Sequence, residues 1–248
     1  MNRPATEAAW FLVSVRSPEE ARLALAGGAD IIDVKEPSGG VLGAAPLSAT
    51  RAIVAAVDGA RPVSATVGDC ALEQAAGRIM ATARTGVDYV KIGLFGDAAA
   101  ATLNAFERHA RSGVRLIAVL FADRAPNWET VADLARAGFA GVMLDTVEKR
   151  QGGLRRYLAA EALAAFLAQV RGHGMLAGLA GSLQEADAPA LLPLRPDVLG
   201  FRGALCEGKR SAALSLARVQ AMRSLIPLAN GARPVNTRLR DLSMAEES

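Results

Sequence analysis

The stretch Asp30-Ile31-Ile32-Asp33-Val34-Lys35-Glu36-Pro37-Ser38-Gly39-Gly40-Val41-Leu42-Gly43 reads as a buried strand that stops at a charged, glycine-rich loop. Side chains alternate across a strand, so Asp33 and Lys35 share one face while Ile32 and Val34 share the other. An acid and an amine therefore point the same way. Pro37 cannot donate a ladder hydrogen bond and holds Glu36 extended, which ends the strand. The glycines beyond it are expected to let the backbone approach a ligand closely.

Working outward, the same strand-then-helix unit recurs along the chain. Strands are expected at Phe11 to Val15, Ile31 to Lys35, Pro62 to Thr66, Tyr89 to Ile92, Arg115 to Phe121, Gly141 to Asp145, Met175 to Ala180 and Asp197 to Phe201. Helices fall between them: after Ser17-Pro18, from about Ser48 to Val57, Ala71 to Thr85, Ala98 to Arg111, Asn127 to Ala137, and from about Arg156 to Arg171. A short helix precedes the last strand, and Ser211 to Leu225 closes the set. Eight such units in continuous alternation, each strand mostly apolar, predict a single (β/α)8 TIM barrel over residues 1–229, more strongly than a doubly wound open sheet. Residues 230–248 form a polar tail without a periodic apolar face. Active sites of such barrels lie at the carboxyl ends of the strands. Asp33, Lys35, Asp69, Lys91, Asp123, Asp145, Ser182 and Arg202 all fall there.

Of 248 residues, 51% are hydrophobic and only 4% aromatic, so the core must be built from Ala, Val, Leu and Ile. That is a soluble globular profile. The net charge is +3 and the arginines are dispersed among acids, which argues against nucleic acid as a partner. Apolar runs are too short to span a bilayer, and Met1 to Ala9 lacks a secretory core, so no membrane partner is expected. Cys70 and Cys206 show no metal-type spacing, and reduced thiols in a cytoplasmic protein are expected. Oligomeric state is left open, a homo-oligomer included.

Only four of the 28 basic residues are lysines: Lys35, Lys91, Lys149 and Lys209. Arginine has replaced lysine at nearly every ordinary surface position, so the survivors are candidates for sites that need an amine. A lysine amine can lose its proton and attack a carbonyl, whereas guanidinium stays charged. Lys35, Lys91 and Lys149 belong to units two, four and six, and alternate strands share a layer of a barrel interior. Packed cations disfavour one another's charge, which favours a neutral amine for Schiff-base formation. Asp33 and Asp145 balance the remaining charge and handle protons. The plain alternative is a set of structural ion pairs at the barrel rim.

Ala180-Gly181-Ser182 and Gly200-Phe201-Arg202-Gly203 follow the last two strands, where barrels often hold a phosphate on backbone amides. Gly181, Ser182, Arg202 and Gly203 are therefore the expected phosphate-binding residues, Arg202 as a bidentate partner. Lys209 reads equally well as solvated surface. His109 and His173 sit on helices, away from the strand ends. The carboxylates have no His or Cys companions, so no metal site is expected. Ser14-Val15-Arg16-Ser17-Pro18 occupies the turn where a dinucleotide fingerprint would stand.

These motifs, Asp30 to Lys35 with the following Gly39-Gly40-Val41-Leu42-Gly43-Ala44, Tyr89 to Gly96, Met143-Leu144-Asp145-Thr146 with Lys149, Leu179 to Ser182, and Arg202-Gly203-Ala204, resemble the (5-formylfuran-3-yl)methyl phosphate synthase family over nearly the whole chain except the tail. The resemblance implies a (β/α)8 carbon-oxygen lyase that condenses two molecules of glyceraldehyde 3-phosphate, with loss of phosphate and water, in methanofuran-type biosynthesis and without a metal or organic cofactor. It implies Lys35 as the Schiff-base lysine, Lys91 and Lys149 as neighbouring acid/base or phosphate-steering groups, and Asp33 and Asp145 as proton handlers. Its partner is then a small-molecule triose phosphate.

Two other readings compete. Asp33-Val34-Lys35 also resembles the start of the motif in phosphate-binding barrel decarboxylases, which need a further aspartate four residues after the lysine. Gly39 stands there instead. The other is a non-catalytic sugar-phosphate-binding barrel, whose lysines hold phosphate and do no chemistry.

Overall fold

The computed structural model describes residues 8–70, 72–95, 100–148 and 152–228. Eight strands close into a barrel in chain order: β1 (Trp10–Val15), β2 (Ile31–Val34), β3 (Val63–Thr66), β4 (Tyr89–Gly93), β5 (Leu116–Phe121), β6 (Gly141–Asp145), β7 (Leu176–Leu179) and β8 (Val198–Phe201). Each pairs in parallel with the next, and β8 returns to β1. Between them run α1 (Pro18–Ala26), α2 (Leu47–Val57), α3 (Leu72–Ala83), α4 (Ala100–Arg111), α5 (Thr130–Arg136), α6 (Leu154–Tyr157), α7 (Ala160–Gly172), α8 (Asp187–Leu191) and α9 (Leu216–Leu225). The expected (β/α)8 architecture is what the chain forms.

Alternation along each strand divides the core in two. Outward-facing residues such as Val13, Ile32, Ala65, Val90, Ala118 and Leu144 pack under the helices in one large cluster. Burying each larger aliphatic side chain contributes roughly 1.5–3 kcal/mol, and this layer carries most of the apolar area. Inside the barrel, Leu12, Ile31, Tyr89, Ile117, Met143 and Val198 fill the amino-terminal half. Gly178 is required there, because a Cβ on it would stand 2.6 Å from Met143 Cγ. Above β5 a third small cluster forms from Leu42, Val119 and Phe121, with Phe95 stacked on Phe121 at 4.5 Å between ring centroids.

Helix α1 begins as its sequence dictates: Ser17 caps it, its hydroxyl accepting from Glu20 N at 3.3 Å, and Pro18 opens the first turn. Two helices start later than their periodicity suggests, and a third is broken. Asn127 Oδ1 accepts from Glu129 N at 2.9 Å, an Asx-turn that delays α5 to Thr130. The sixth expected helix, from about Arg156 to Arg171, is split by extended backbone at Leu158 into α6 and α7. The last begins at Leu216, because the carbonyls of residues 210–212 are turned toward arginine side chains instead of along a helix axis. The tail, residues 230–248, lies outside the described residues.

Candidate active site

Register sets the polar layer of the barrel interior. Ser14 is paired with Asp33, Asp33 with Ser64, and Thr66 with Lys91, so these side chains rise together on the inner face above the apolar plug. Asp33, only 1% exposed, accepts from Lys91 Nζ at 2.8 Å and Ser64 Oγ at 2.7 Å on one oxygen, and from Ser14 Oγ at 2.9 Å on the other. A carboxylate taken out of water is tolerated only when its lone pairs are met in this way. One step higher, Lys35 Nζ lies 3.4 Å from Asp145 Oδ2, while Asp145 Oδ1 accepts from Thr146 N at 2.7 Å. All four charged residues are buried. Among the described residues, two of the three expected lysines meet here, each with a carboxylate beside it, the Lys35–Asp145 contact above the Lys91–Asp33 one.

Lys35, Lys91, Asp33 and Asp145 line a cavity of about 840 Å³ at the carboxyl ends of the strands. Pro37 borders it on one side, Gly181 and Ser182 on another, and Gly203 with the segment Gly208-Lys209-Arg210-Ser211 on a third. Gly181 has φ +103°, and a Cβ there would press to 3.0 Å on Thr146 N, so glycine lets the ends of β6 and β7 lie close. Ser182 follows in a left-handed conformation, φ 49°.

Arg202 departs from its expected part. Its Nε donates to Arg210 O at 3.0 Å. One Nη donates to Ser14 O at 3.0 Å and to Glu20 Oε2, and the other to Glu20 Oε1 at 3.1 Å and Ala212 O at 3.0 Å. Guanidinium has five N–H groups, and here all five are spent on protein. A bidentate grip on phosphate has no donors left to make it. Arg202 instead ties β8 to α1 and to the loop beyond β8.

The glycines after Pro37 are also turned to a different use. A Cβ on Gly40 (φ +116°) would stand 2.2 Å from Asp69 Oδ2, and one on Gly43 would stand 2.1 Å from Glu36 O. They let backbone approach protein, and neither glycine lines the cavity. Asp69 accepts from Val41 N at 2.6 Å and Leu42 N at 2.8 Å, and Glu36 N donates to Gly43 O at 2.9 Å, closing the loop on itself. Asp123 does similar work next door, accepting from Val147 N at 2.9 Å and Glu148 N at 2.7 Å. Both strand-end aspartates hold loops.

Lys149 lies outside the described residues. His109, near the end of α4, has its pKa lowered by burial and by Arg108, and His173 is the C-cap of α7; neither borders the cavity. Among the described residues no group of three His, Cys, Asp or Glu is placed to hold a metal ion, and no helix is long and apolar enough to cross a membrane. Sequence reasoning passed over Ser14, Ser64, Glu20 and Arg210. A mid-strand serine has no signature of its own, although Ser14 and Ser64 do stand on the inward face once the register is known.

Buried amines paired with carboxylates at the carboxyl-end mouth of a closed parallel barrel define an enzyme of the (β/α)8 class that works on a small polar molecule. The sequence narrows this further. Residues 11–223 match the model of a family described as 4-HFC-P synthase, and the chain belongs to that family. A Methylorubrum extorquens protein is 48% identical over 221 residues, 86% of this chain and 92% of its own. The (5-formylfuran-3-yl)methyl phosphate synthase of Methanopyrus kandleri is 37% identical over 211 residues, 79% of this chain and 89% of its own. Among solved structures, the 3-hexulose-6-phosphate synthase of Salmonella typhimurium superposes with a TM-score of 0.66 at 17% identity, covering 87% of this chain and 97% of that one. At that identity the likeness is one of fold.

Proposed function

We propose that this enzyme joins two molecules of glyceraldehyde 3-phosphate through an imine on Lys35, giving (5-formylfuran-3-yl)methyl phosphate, phosphate and water. The observation that carries this reading is the pair of stacked ion pairs, Lys35–Asp145 above Asp33–Lys91, open to one cavity. Family membership and the names of the relatives support it.

Lys91 is the deeper amine, held at 2.8 Å by a carboxylate that two serines fix in place. It suits a fixed positive charge or a proton donor. Lys35 stands above it, and the carboxylate next to it is the longer contact, 3.4 Å. In this reading Asp145 takes a proton as that nitrogen adds to a carbonyl and returns it to the departing hydroxyl.

One triose phosphate isomerises to the ketone and condenses with Lys35, and water leaves. The second triose loses its phosphate as the proton next to its aldehyde is removed, and the three-carbon enol left behind attacks the iminium carbon through its terminal carbon, the nitrogen accepting the electron pair. The hydroxymethyl oxygen of the ketone-derived triose closes on the carbonyl that the enol becomes, and loss of one water and of the Lys35 amine from the ring frees the enzyme and yields the furan, with the remaining phosphate still on the product. Gly181, Ser182 and Gly203 wall the side of the mouth where a phosphate group would lie. Lys149 is assigned to this machinery by the resemblance alone.

Borohydride reduction in the presence of glyceraldehyde 3-phosphate tests the reading. A covalent triose adduct on Lys35 is expected by peptide mass mapping, together with a furan aldehyde chromophore in the untreated reaction. Bound substrate with neither adduct nor chromophore would leave a sugar-phosphate-binding barrel as the better description.

A further inference from the structure

Resting on the triose-phosphate reading above, we propose that Arg210 grips the substrate's phosphate, and that Arg202 is the positioning residue that sets it over the cavity. Three successive carbonyls turn back to two guanidinium groups: Arg210 O and Ala212 O accept from Arg202, and Ser211 O accepts from Arg16 Nη1 at 2.7 Å. The ends of this strap are sewn together as well, by Glu207 N to Ala213 O at 3.0 Å and Ser215 N to Leu205 O at 2.9 Å. With its backbone oxygens fixed outward, the strap lays the Arg210 side chain along the cavity wall.

Arg210 is half-buried, and its guanidinium makes no hydrogen bond or ion pair with the described residues. Burial lowers its pKa, while Asp145 and Asp69 raise it and Arg202 lowers it further. A guanidinium held partly out of water gains most from a dianion that accepts two parallel N–H bonds, which is what a phosphate monoester offers. Arg202 is saturated; Arg210 has its donors available. The sequence marks the first because it adjoins the strand end, and the structure hands the work to its neighbour eight residues on.

The probe is inorganic phosphate, with its affinity measured by calorimetry on the full chain and folding checked by thermal melting. Arg210→Ala is expected to weaken phosphate binding about tenfold or more, with Arg210→Lys intermediate, since an ammonium keeps the charge but not the fork. The preference for glyceraldehyde 3-phosphate over glyceraldehyde in borohydride trapping should fall by a similar factor. Arg202→Lys is expected to weaken phosphate too, but Arg202→Lys combined with Arg210→Ala should be no weaker than Arg210→Ala alone, because a positioning residue acts only through the group it positions. Glu20→Gln, which loosens Arg202 without touching the cavity, serves the same comparison should Arg202→Lys not fold. Wild-type affinity in Arg210→Ala, no phosphate binding by the wild type, or losses that multiply in the double variant would overturn the proposal. Phosphate binding lost in Arg210→Ala with no adduct on Lys35 would uphold the anion site and sink the condensation reading. An adduct on Lys35 with phosphate binding intact in Arg210→Ala would do the reverse.

Discussion

Lys91 Nζ sits 2.8 Å from Asp33 Oδ1 at the floor of the cavity, and Ser14 and Ser64 occupy the rest of that carboxylate. Neither charge has much access to water. Removing one partner therefore strands the other. Asp33→Asn should cost about 3–5 kcal/mol in urea unfolding, the range for breaking a buried ion pair from one side. Replacing both partners with apolar residues, Asp33→Leu with Lys91→Met, should recover most of that stability while leaving no activity. Stability unchanged in Asp33→Asn would mean that the pair is not buried in solution.

Lys35 and Asp145 divide nucleophile from proton carrier. Lys35→Arg keeps a cation within reach of Asp145 but cannot form an imine, so neither turnover nor adduct is expected. Asp145→Asn keeps the amine and removes the base. Adduct formation on Lys35 should then slow by roughly 10²–10⁴, the usual share of a positioned general base. Single-turnover trapping read by mass spectrometry separates the two variants, and rapid trapping in Asp145→Asn would remove Asp145 from the mechanism.

Gly40 has no room for a methyl group. With φ +116° and the Asp69 carboxylate in the way, Gly40→Ala must push Asp69 off the amides of Val41 and Leu42. The left-handed backbone adds about 1–3 kcal/mol of strain. Hydrogen exchange at those two amides should accelerate at least about tenfold, with the outer core unaffected. Asp69→Asn, which keeps the shape but weakens the acceptor, should give a smaller change in the same amides.

Burial pushes the Cys206 thiol above its ordinary pKa, with Arg202 pulling the other way. The folded protein then holds a proton that the unfolded chain releases sooner. Its stabilising contribution is present below the unfolded thiol pKa and is lost as pH rises through the folded one. Cys206→Ala should accordingly show a shallower loss of melting temperature on the alkaline side than the wild type. Cys206 should resist iodoacetamide until the protein unfolds, while the partly exposed Cys70 reacts first, though slowly, since burial and Asp69 raise its thiol as well. Equal alkaline slopes would show that Cys206 ionises alike in both states.

The alternation in Ile31-Ile32-Asp33-Val34-Lys35 was enough to put the acid and the amine on one inner face, and repetition of that unit was enough to close the barrel. The scarcity of lysine singles out Lys35, Lys91, Lys149 and Lys209, because a composition so biased toward arginine makes an amine informative, and of these Lys35, Lys91 and Lys209 border the cavity while Lys149 lies outside the described residues. Contacts between distant residues were harder to read. Nothing near Arg202 reveals that Glu20, 182 residues earlier, takes its guanidinium. The same guanidinium, with that of Arg16, takes the carbonyls of residues 210–212, which is why α9 begins at Leu216 and not at Ser211, a boundary that helical periodicity alone misplaces. Gly40 and Gly43 announce close approach, but the sequence does not say to what.

The joining of Arg202 to Glu20 and Ser14 has a temporal side. The first β-α unit leaves the ribosome long before the last strand does, and until then its carboxylate and carbonyl await a partner not yet made. The mouth of the barrel can take its final shape only when both ends of the chain have met, so a nascent or truncated polypeptide would carry Lys35 without an enclosed place to use it.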